Sequence, residues 1–246
     1  MTMTSTLHFE AGTVAESYRR YLEPVLFAPW ADRLVAHAGV GRGDVVVDIA
    51  SGTGAVARAA ARAAGPHGRV IATDISARDL DLPDASADVV LCQQGLQFMD
   101  DPGAVLRECR RVLRPGGVVA VAVWAAGERL DPFDAFAAAL STSERTFANV
   151  PATMSVVAVV DALCLSGFEN ISAGTQSLVV RWPTLESEIS GLFGTPFGPR
   201  VERMDQTSRA ELLSRVRGLL VAGGNRTFDY TTTSVFGRGT RPQSEG

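Results

Sequence analysis

Cysteine, tyrosine and histidine each occur only three times in 246 residues. Cys92, Cys109 and Cys164 sit in apolar settings without CxxC spacing, so neither a disulfide framework nor a zinc ribbon is expected; they read as free thiols in a reducing compartment. No run of 18 apolar residues occurs, which leaves no candidate transmembrane helix. Met1 to Ser5 is polar and lacks a basic stretch followed by an apolar one, so secretion is not expected. Basic residues are scattered rather than clustered, and the net charge is -4. No electrostatic footprint for nucleic acid or an anionic membrane results. These absences together point to a cytoplasmic protein with neither kind of partner.

What is present is a chain that is 46% hydrophobic, enough for one catalytic-size domain. Val14, Tyr18, Tyr21 and Leu22 recur at helical spacing, Pro24 interrupts, and Trp30, Leu34 and Val35 continue the apolar face. Val45 to Ile49 is apolar except for Asp48, as in a strand covered on both faces. Ala55 to Ala64 reads as a helix, Val70 to Asp74 as a strand, and Val89 to Gln93 as another. Asp101-Pro102 is a cap followed by proline at the first helical position. Val105, Leu106, Cys109, Val112 and Leu113 form the stripe of that helix, and Val118 to Trp124 is the next strand. The alternation is the α/β pattern. Farther on, Phe133 to Leu140, Val156 to Leu165, Leu185 to Leu192 and Arg209 to Val221 read as helices. Ile171 to Trp182 holds one or two strands, and Phe228 to Phe236 reads as a late strand. A polar tail, 238–246, is expected to be disordered.

Gly52 and Gly54 lie between a buried strand and a helix. Glycine permits the tight turn and leaves no Cβ between backbone and ligand. Unpaired amides at the helix start favour an anion or carboxylate. Asp74 ends the next strand, where an acid accepts hydrogen bonds from a ribose diol. The glycine spacing alone is weak, and a dinucleotide is not excluded by it. Asp48, just before the turn, is more telling; it can support the loop or face a cationic ligand group. A carboxylate there crowds a pyrophosphate but suits a cationic group. S-adenosylmethionine, with a ribose diol, a sulfonium and no phosphate, matches these charges.

Four stretches carry a family likeness: Val45-Val-Val-Asp-Ile-Ala-Ser-Gly-Thr-Gly54, Val70-Ile-Ala-Thr-Asp-Ile-Ser76, Leu82 to Phe98, and Leu106-Arg-Glu-Cys-Arg-Arg-Val-Leu-Arg-Pro-Gly-Gly117. The sequence resembles the class I S-adenosylmethionine-dependent methyltransferases, in the small-molecule branch similar to ubiquinone/menaquinone-biosynthesis C-methyltransferases. The resemblance implies a Rossmann-like three-layer sandwich with a mostly parallel sheet. It implies that Asp48, Ala50, Gly52 and Gly54 belong to the cofactor loop and that Gly52 and Gly54 meet the methionine portion. Asp74 would hold the ribose, Ile75 would pack near adenine, and Gln93 and Gln94 would line the transfer site. Tyr18 and Trp30 would belong to a helical cap, 1–43, over a methyltransferase-like domain, 44–237.

One departure stands out. Only Ile75 to Asp88 separate the second strand from the one at Val89, where the family has a helix, a third strand and a return. A parallel crossover alone takes about a dozen residues or more, so the third, edge strand is expected to be missing, with Leu80 and Leu82 packing down in its place. The family's adenine-binding acid falls at Arg78 in gapless register, and Asp79 or Asp81 would have to replace it. No catalytic dyad is evident; His8, in the early segment, is the candidate base. Trp30, Phe98, Trp124, Phe133 and Phe136 are candidates for the apolar surface of a small aromatic or apolar substrate. The alternatives are a non-catalytic or accessory methyltransferase-like protein with weakened cofactor binding, and an NAD-linked oxidoreductase, for which the Tyr-x-x-x-Lys pair is absent. A homodimer is compatible with the exposed edge.

Overall fold

The computed structural model describes residues 16–74, 79–128, 131–140, 153–195, 198–222 and 229–243. His8 and Ile75 lie outside the described residues. The chain divides into two compact units.

The larger unit comprises Ala28–Glu128, Pro151–Leu178 and Thr232–Gly246. Its chain runs through α2 (Ala28–Ala38), β1 (Val45–Ile49), α3 (Ala55–Ala64), β2 (Arg69–Thr73), β3 (Ala87–Gln93), α4 (Pro102–Val112), β4 (Leu113–Trp124) and α6 (Val156–Leu165). The six-stranded sheet has the order β2-β1-β3-β4-β6-β5, where β5 is Glu169–Arg181 and β6 is Asp229–Thr240. The first four strands are parallel and β6 is antiparallel to β4. The continuous apolar runs lie in the middle of the sheet, as they must when helices cover both faces. Val46 and Val47 of β1, Val90 and Leu91 of β3 and Val119 to Val123 of β4 are buried. Val47, Ile49 and Cys92 share one core with α4 and α6. On α2, Trp30, Ala31, Leu34, Val35 and Ala38 form the buried face, and α2 packs on α3, β3 and β4. That helix, expected in an N-terminal cap, is therefore an integral layer of the sheet unit. The last strand also continues to Thr240, three residues into the segment expected as a tail, with Gly239 buried at Phe168.

No strand occurs among the described residues between β2 and β3, and β2 borders the sheet. The short connection is held down rather than looped out. Leu80 is 3% exposed in the core, and Leu82 packs beside it. The Leu80 amide donates to Glu108 Oε1 at 2.8 Å. Arg111 of α4 donates to the carbonyls of Leu82 and Leu80 at 2.9 and 3.0 Å and pairs with Asp84 and Glu108. One guanidinium thus satisfies carbonyls that a neighbouring strand would otherwise bond. Arg111→Ala is expected to cost about 1–2 kcal/mol, because several charge-assisted bonds are lost but the carbonyls become accessible to water. Urea unfolding measures that loss, and amide exchange at Leu80 should accelerate more than exchange in β1.

The smaller unit comprises Met1–Phe27, Arg129–Val150 and Val179–Thr231. It holds α1 (Tyr18–Phe27), α5 (Asp131–Leu140), α7 (Leu185–Leu192), α8 (Gly198–Glu202) and α9 (Gln206–Ala222). The α1 segment is wound as a π-helix and contains Pro24. Wider winding suits a proline, because the ring clashes with the carbonyl of a regular α-turn. Tyr18 stacks on Phe27 at 5.0 Å between centroids. A Cβ on Gly194 would lie 2.4 Å from Tyr18 Cα, so the end of α7 meets the start of α1 backbone to backbone.

Candidate cofactor site

The chain enters the site along β1 and leaves it along α3. Between them, Ala50, Gly52 and Gly54 have φ of 55°, 49° and 85°. Every second residue is therefore left-handed, which turns a strand into a helix over a few residues. Glycine does this freely; Ala50, with a Cβ, is strained by about 1–2 kcal/mol. A Cβ at Gly52 would meet nothing within 4 Å, so that position opens away from the protein. The Ser51 amide donates to the Thr73 carbonyl at 3.0 Å, tying the loop to the end of β2. Arg58 donates to the Thr53 carbonyl at 2.7 Å and closes the turn from the helix side.

Asp48 lies beneath this turn, 1% exposed. Neither of its oxygens has a partner at hydrogen-bond geometry among the described residues. Burial pushes its carboxyl up to about 7; the facing Ala57 amide opposes the rise and the negative Asp74 adds to it. Asp74 itself is exposed just beyond β2. Because β2 and β3 flank β1, the carboxyl ends of β1 and β3 form the switch point where open α/β sheets bind ligands.

On the β3 side, Gln94 also has a left-handed backbone, φ 52°. Its amide donates to the Ala122 carbonyl at 2.7 Å. Its side chain donates to Ser234 Oγ of β6 at 3.0 Å and accepts from Gln97 at 3.0 Å. Gln93, at the end of β3, is half-buried. Sequence spacing gave no sign of Ser234 or Gln97; the first arrives from a strand 140 residues away.

Other expected residues fall elsewhere. Trp30 is fully buried, its ring 5.5 Å from Phe236 and its Nε1 donating to Thr232 Oγ1 at 3.2 Å. Its position is that of a core side chain rather than a cofactor cover. Tyr18 belongs to the smaller unit, where burial and then Glu23 push its phenol well above the ordinary range. Asp79 and Asp81 are both exposed. Of the aromatics expected at a substrate surface, Trp30, Trp124, Phe133 and Phe136 are buried, and Phe98 alone is open at 46%. Their apolar character drew them into the cores of their units.

Residues 47–121, which contain this turn and both switch-point strands, match a family model described as a methyltransferase domain. A 116-residue stretch is 37% identical to the ubiquinone/menaquinone biosynthesis C-methyltransferase UbiE of Cupriavidus taiwanensis, covering 37% of this chain and 48% of that protein. The UbiE protein of Burkholderia thailandensis is 37% identical over 120 residues, 39% of this chain and 49% of its own. Over residues 47–121 the chain is thus similar to a methyltransferase domain. The match spans about half the length of the curated relatives. Among solved structures, the YcgJ protein of Bacillus subtilis is similar with a TM-score of 0.52 at 15% identity, over 88% of this chain and 98% of that one. Phosphoethanolamine N-methyltransferase 2 of Haemonchus contortus gives 0.55 at 15% identity, over 93% and 57%. At that identity they establish the fold.

The geometry of the turn and its neighbours is compatible with S-adenosylmethionine. A buried carboxylate faced by the Ala57 amide, with no partner at hydrogen-bond geometry among the described residues, lies under the turn, which suits a cationic ligand and disfavours a pyrophosphate. The acid at the end of β2 is free of burial and stands where ribose hydroxyls are bound in such domains.

Proposed function

We propose that the protein transfers the methyl group of S-adenosylmethionine to a small apolar or aromatic metabolite. The observation that carries this reading is the unpaired, buried Asp48 beneath the turn of Ala50, Gly52 and Gly54. When bound, the cofactor supplies a methyl group already made electrophilic by its sulfonium. The protein's part is to hold, orient and exclude water. Asp48 offers the compensating charge, Asp74 accepts from the ribose hydroxyls, and Gln94, tied to Ser234, fixes the neighbouring strand end. Phe98 supplies exposed apolar surface beyond it. His8 is retained as the candidate base for an acceptor that must lose a proton. Asp79 remains the candidate for the adenine side, with Ile75 the candidate against the ring.

Calorimetric titration with S-adenosylhomocysteine and with NAD tests the cofactor. Binding of NAD alone, or of neither, rejects the proposal. Asp74→Ala is expected to weaken S-adenosylhomocysteine binding about ten-fold, near 1.4 kcal/mol, by removing a charge-assisted acceptor. Methyl transfer from labelled cofactor onto a panel of phenols, quinols and amines then tests the substrate class; transfer to RNA or DNA alone would reject it.

One observation favours the accessory-protein alternative: Asp79 and Asp81, the candidates for the adenine-binding acid, are both exposed, so burial fixes neither of them in a pocket. Unmeasurable affinity for S-adenosylhomocysteine in the folded protein would support that alternative. No helix among the described residues is long and apolar enough to cross a membrane. The proposal assigns the enzyme to the cytoplasm without a nucleic-acid partner, and light scattering decides between monomer and homodimer.

A further inference from the structure

The geometry points to Ala50 as a positioning residue: its methyl group, seated on Gly95, clamps the end of β3 and holds the Gln94–Phe98 turn in its working place. Three observations converge on that contact. Ala50 is the non-glycine member of an alternating left-handed series, at φ 55° between Asp48 and Gly52. Gly95 has φ -111° and ψ -43°, which any residue adopts, so its lack of a side chain is not a backbone requirement. What Gly95 does require is space. A Cβ there would lie 2.6 Å from the Ala50 Cβ and 3.2 Å from Cys92 Sγ.

The two positions are therefore complementary. One strand end carries a methyl group where glycine suits the backbone better, and the other carries glycine where alanine suits the backbone well. The methyl sits on the cofactor-loop side and fills the gap over Gly95. Ile49 and Cys92 are paired partners in β1 and β3, so the contact lies one step past the last paired residues of the switch point. Beyond Gly95 the chain turns at once through Leu96–Phe98, and Leu96 is fully buried. Gln94, on the near side, is left-handed too and is tied to Ser234 and Gln97. With Ala50 in place, the turn has a wall on the loop side and hydrogen bonds on the β6 side. Without the methyl, the turn keeps its hydrogen bonds and the buried Leu96 but loses its wall on the loop side.

The clamp is tested by moving the methyl across the contact. Hydrogen exchange of the full chain, read by mass spectrometry over the 94–98 segment, reports on the turn without any ligand. Ala50→Gly should speed exchange there by about ten-fold or more while β4 is unchanged, with the melting temperature within about 2 °C of wild type. Gly95→Ala should lower the melting temperature by several degrees, because two Cβ atoms cannot share the space. The double variant Ala50→Gly/Gly95→Ala should regain most of the melting temperature and the slow exchange, short of full recovery because Cys92 Sγ still crowds the new methyl. A third arm rests on the proposed cofactor: S-adenosylhomocysteine should bind Ala50→Gly about five-fold or more weakly, and the double variant nearly as wild type does. If wild type does not bind that compound, the cofactor proposal fails while the exchange pattern still decides the clamp. Unchanged exchange at 94–98 in Ala50→Gly, or a double variant no better than Gly95→Ala, overturns it; so does exchange that rises equally throughout the chain.

Discussion

Trp30→Ala is expected to lower stability by about 3–5 kcal/mol, the range for truncating a fully buried tryptophan. The indole is 0% exposed. Its ring is tilted at 44° against Phe236, and the Arg33 guanidinium stands 5.1 Å from the ring centroid. The Nε1–Thr232 bond adds a buried donor that has an acceptor 202 residues away. Truncation leaves a cavity between α2 and β6 and an unpaired Thr232 hydroxyl. Trp30→Phe keeps most of the apolar volume and should cost less, about 1–2 kcal/mol, from the lost bond and the smaller ring. Urea unfolding of both variants measures this. For a core side chain, the fraction that stays folded binds S-adenosylhomocysteine with unaltered affinity. A loss of affinity without a loss of stability would instead put Trp30 at the ligand.

The second large effect is a pH dependence centred on Asp48. Its carboxyl is raised from an ordinary 3.8 to about 7 in the folded protein, mainly by burial. In the unfolded chain it ionises near its ordinary value. Below that value it is neutral in both states and costs nothing. As pH rises from about 4 through 7 the unfolded state releases its proton first, so folding stability falls across that window and levels off above it. The loss is on the order of 4 kcal/mol. Asp48→Asn removes the charge but keeps the shape. Its advantage over wild type should therefore grow by that amount between pH 4 and pH 8, because other titrating groups cancel in the comparison. Parallel stability curves for the two proteins would contradict this. Binding the sulfonium favours the charged carboxylate, so S-adenosylmethionine affinity in wild type should rise with pH toward 8, more steeply than that of the uncharged thioether S-adenosylhomocysteine. Asp74 sets part of the shift, and Asp74→Asn should lower the midpoint.

Much of the site was legible because its logic is local. The apolar run Val45 to Ile49, the small residues after it and the alanine-rich helix are contiguous, and the structure forms β1, the turn and α3 from them. The lack of a strand among the described residues between β2 and β3 accords with the shortness of the stretch Ile75 to Asp88, and Leu80 packs down as expected. What tethers that connection was not legible. Arg111 and Glu108 read as surface charges of an amphipathic helix, yet their side chains hold the backbone of Leu80 and Leu82. The Gln94–Ser234 bond and the Ala50–Gly95 contact join segments distant in sequence, so no spacing rule reveals them. The aromatics misled for a related reason. Apolar character says that Phe133, Phe136 and Trp124 avoid water, but not whether protein or ligand covers them.

The two sides of β4 are completed at very different moments in the life of the chain. On one side the parallel strands close through short separations, as between Val45 and Asp88, 43 residues apart. On the other, β4 pairs with β6 only when Ser234 to Thr240 has been synthesised. During translation, with the N-terminal part emerging first, the turn of Ala50 to Gly54 and its flanking strands can form while Val119 to Val123 still present an open hydrogen-bonding edge. That edge is apolar along its length, the kind that recruits other chains. The interval before β6 arrives is then the nascent protein's period of greatest aggregation risk, and a ribosome paused within α9 would prolong it.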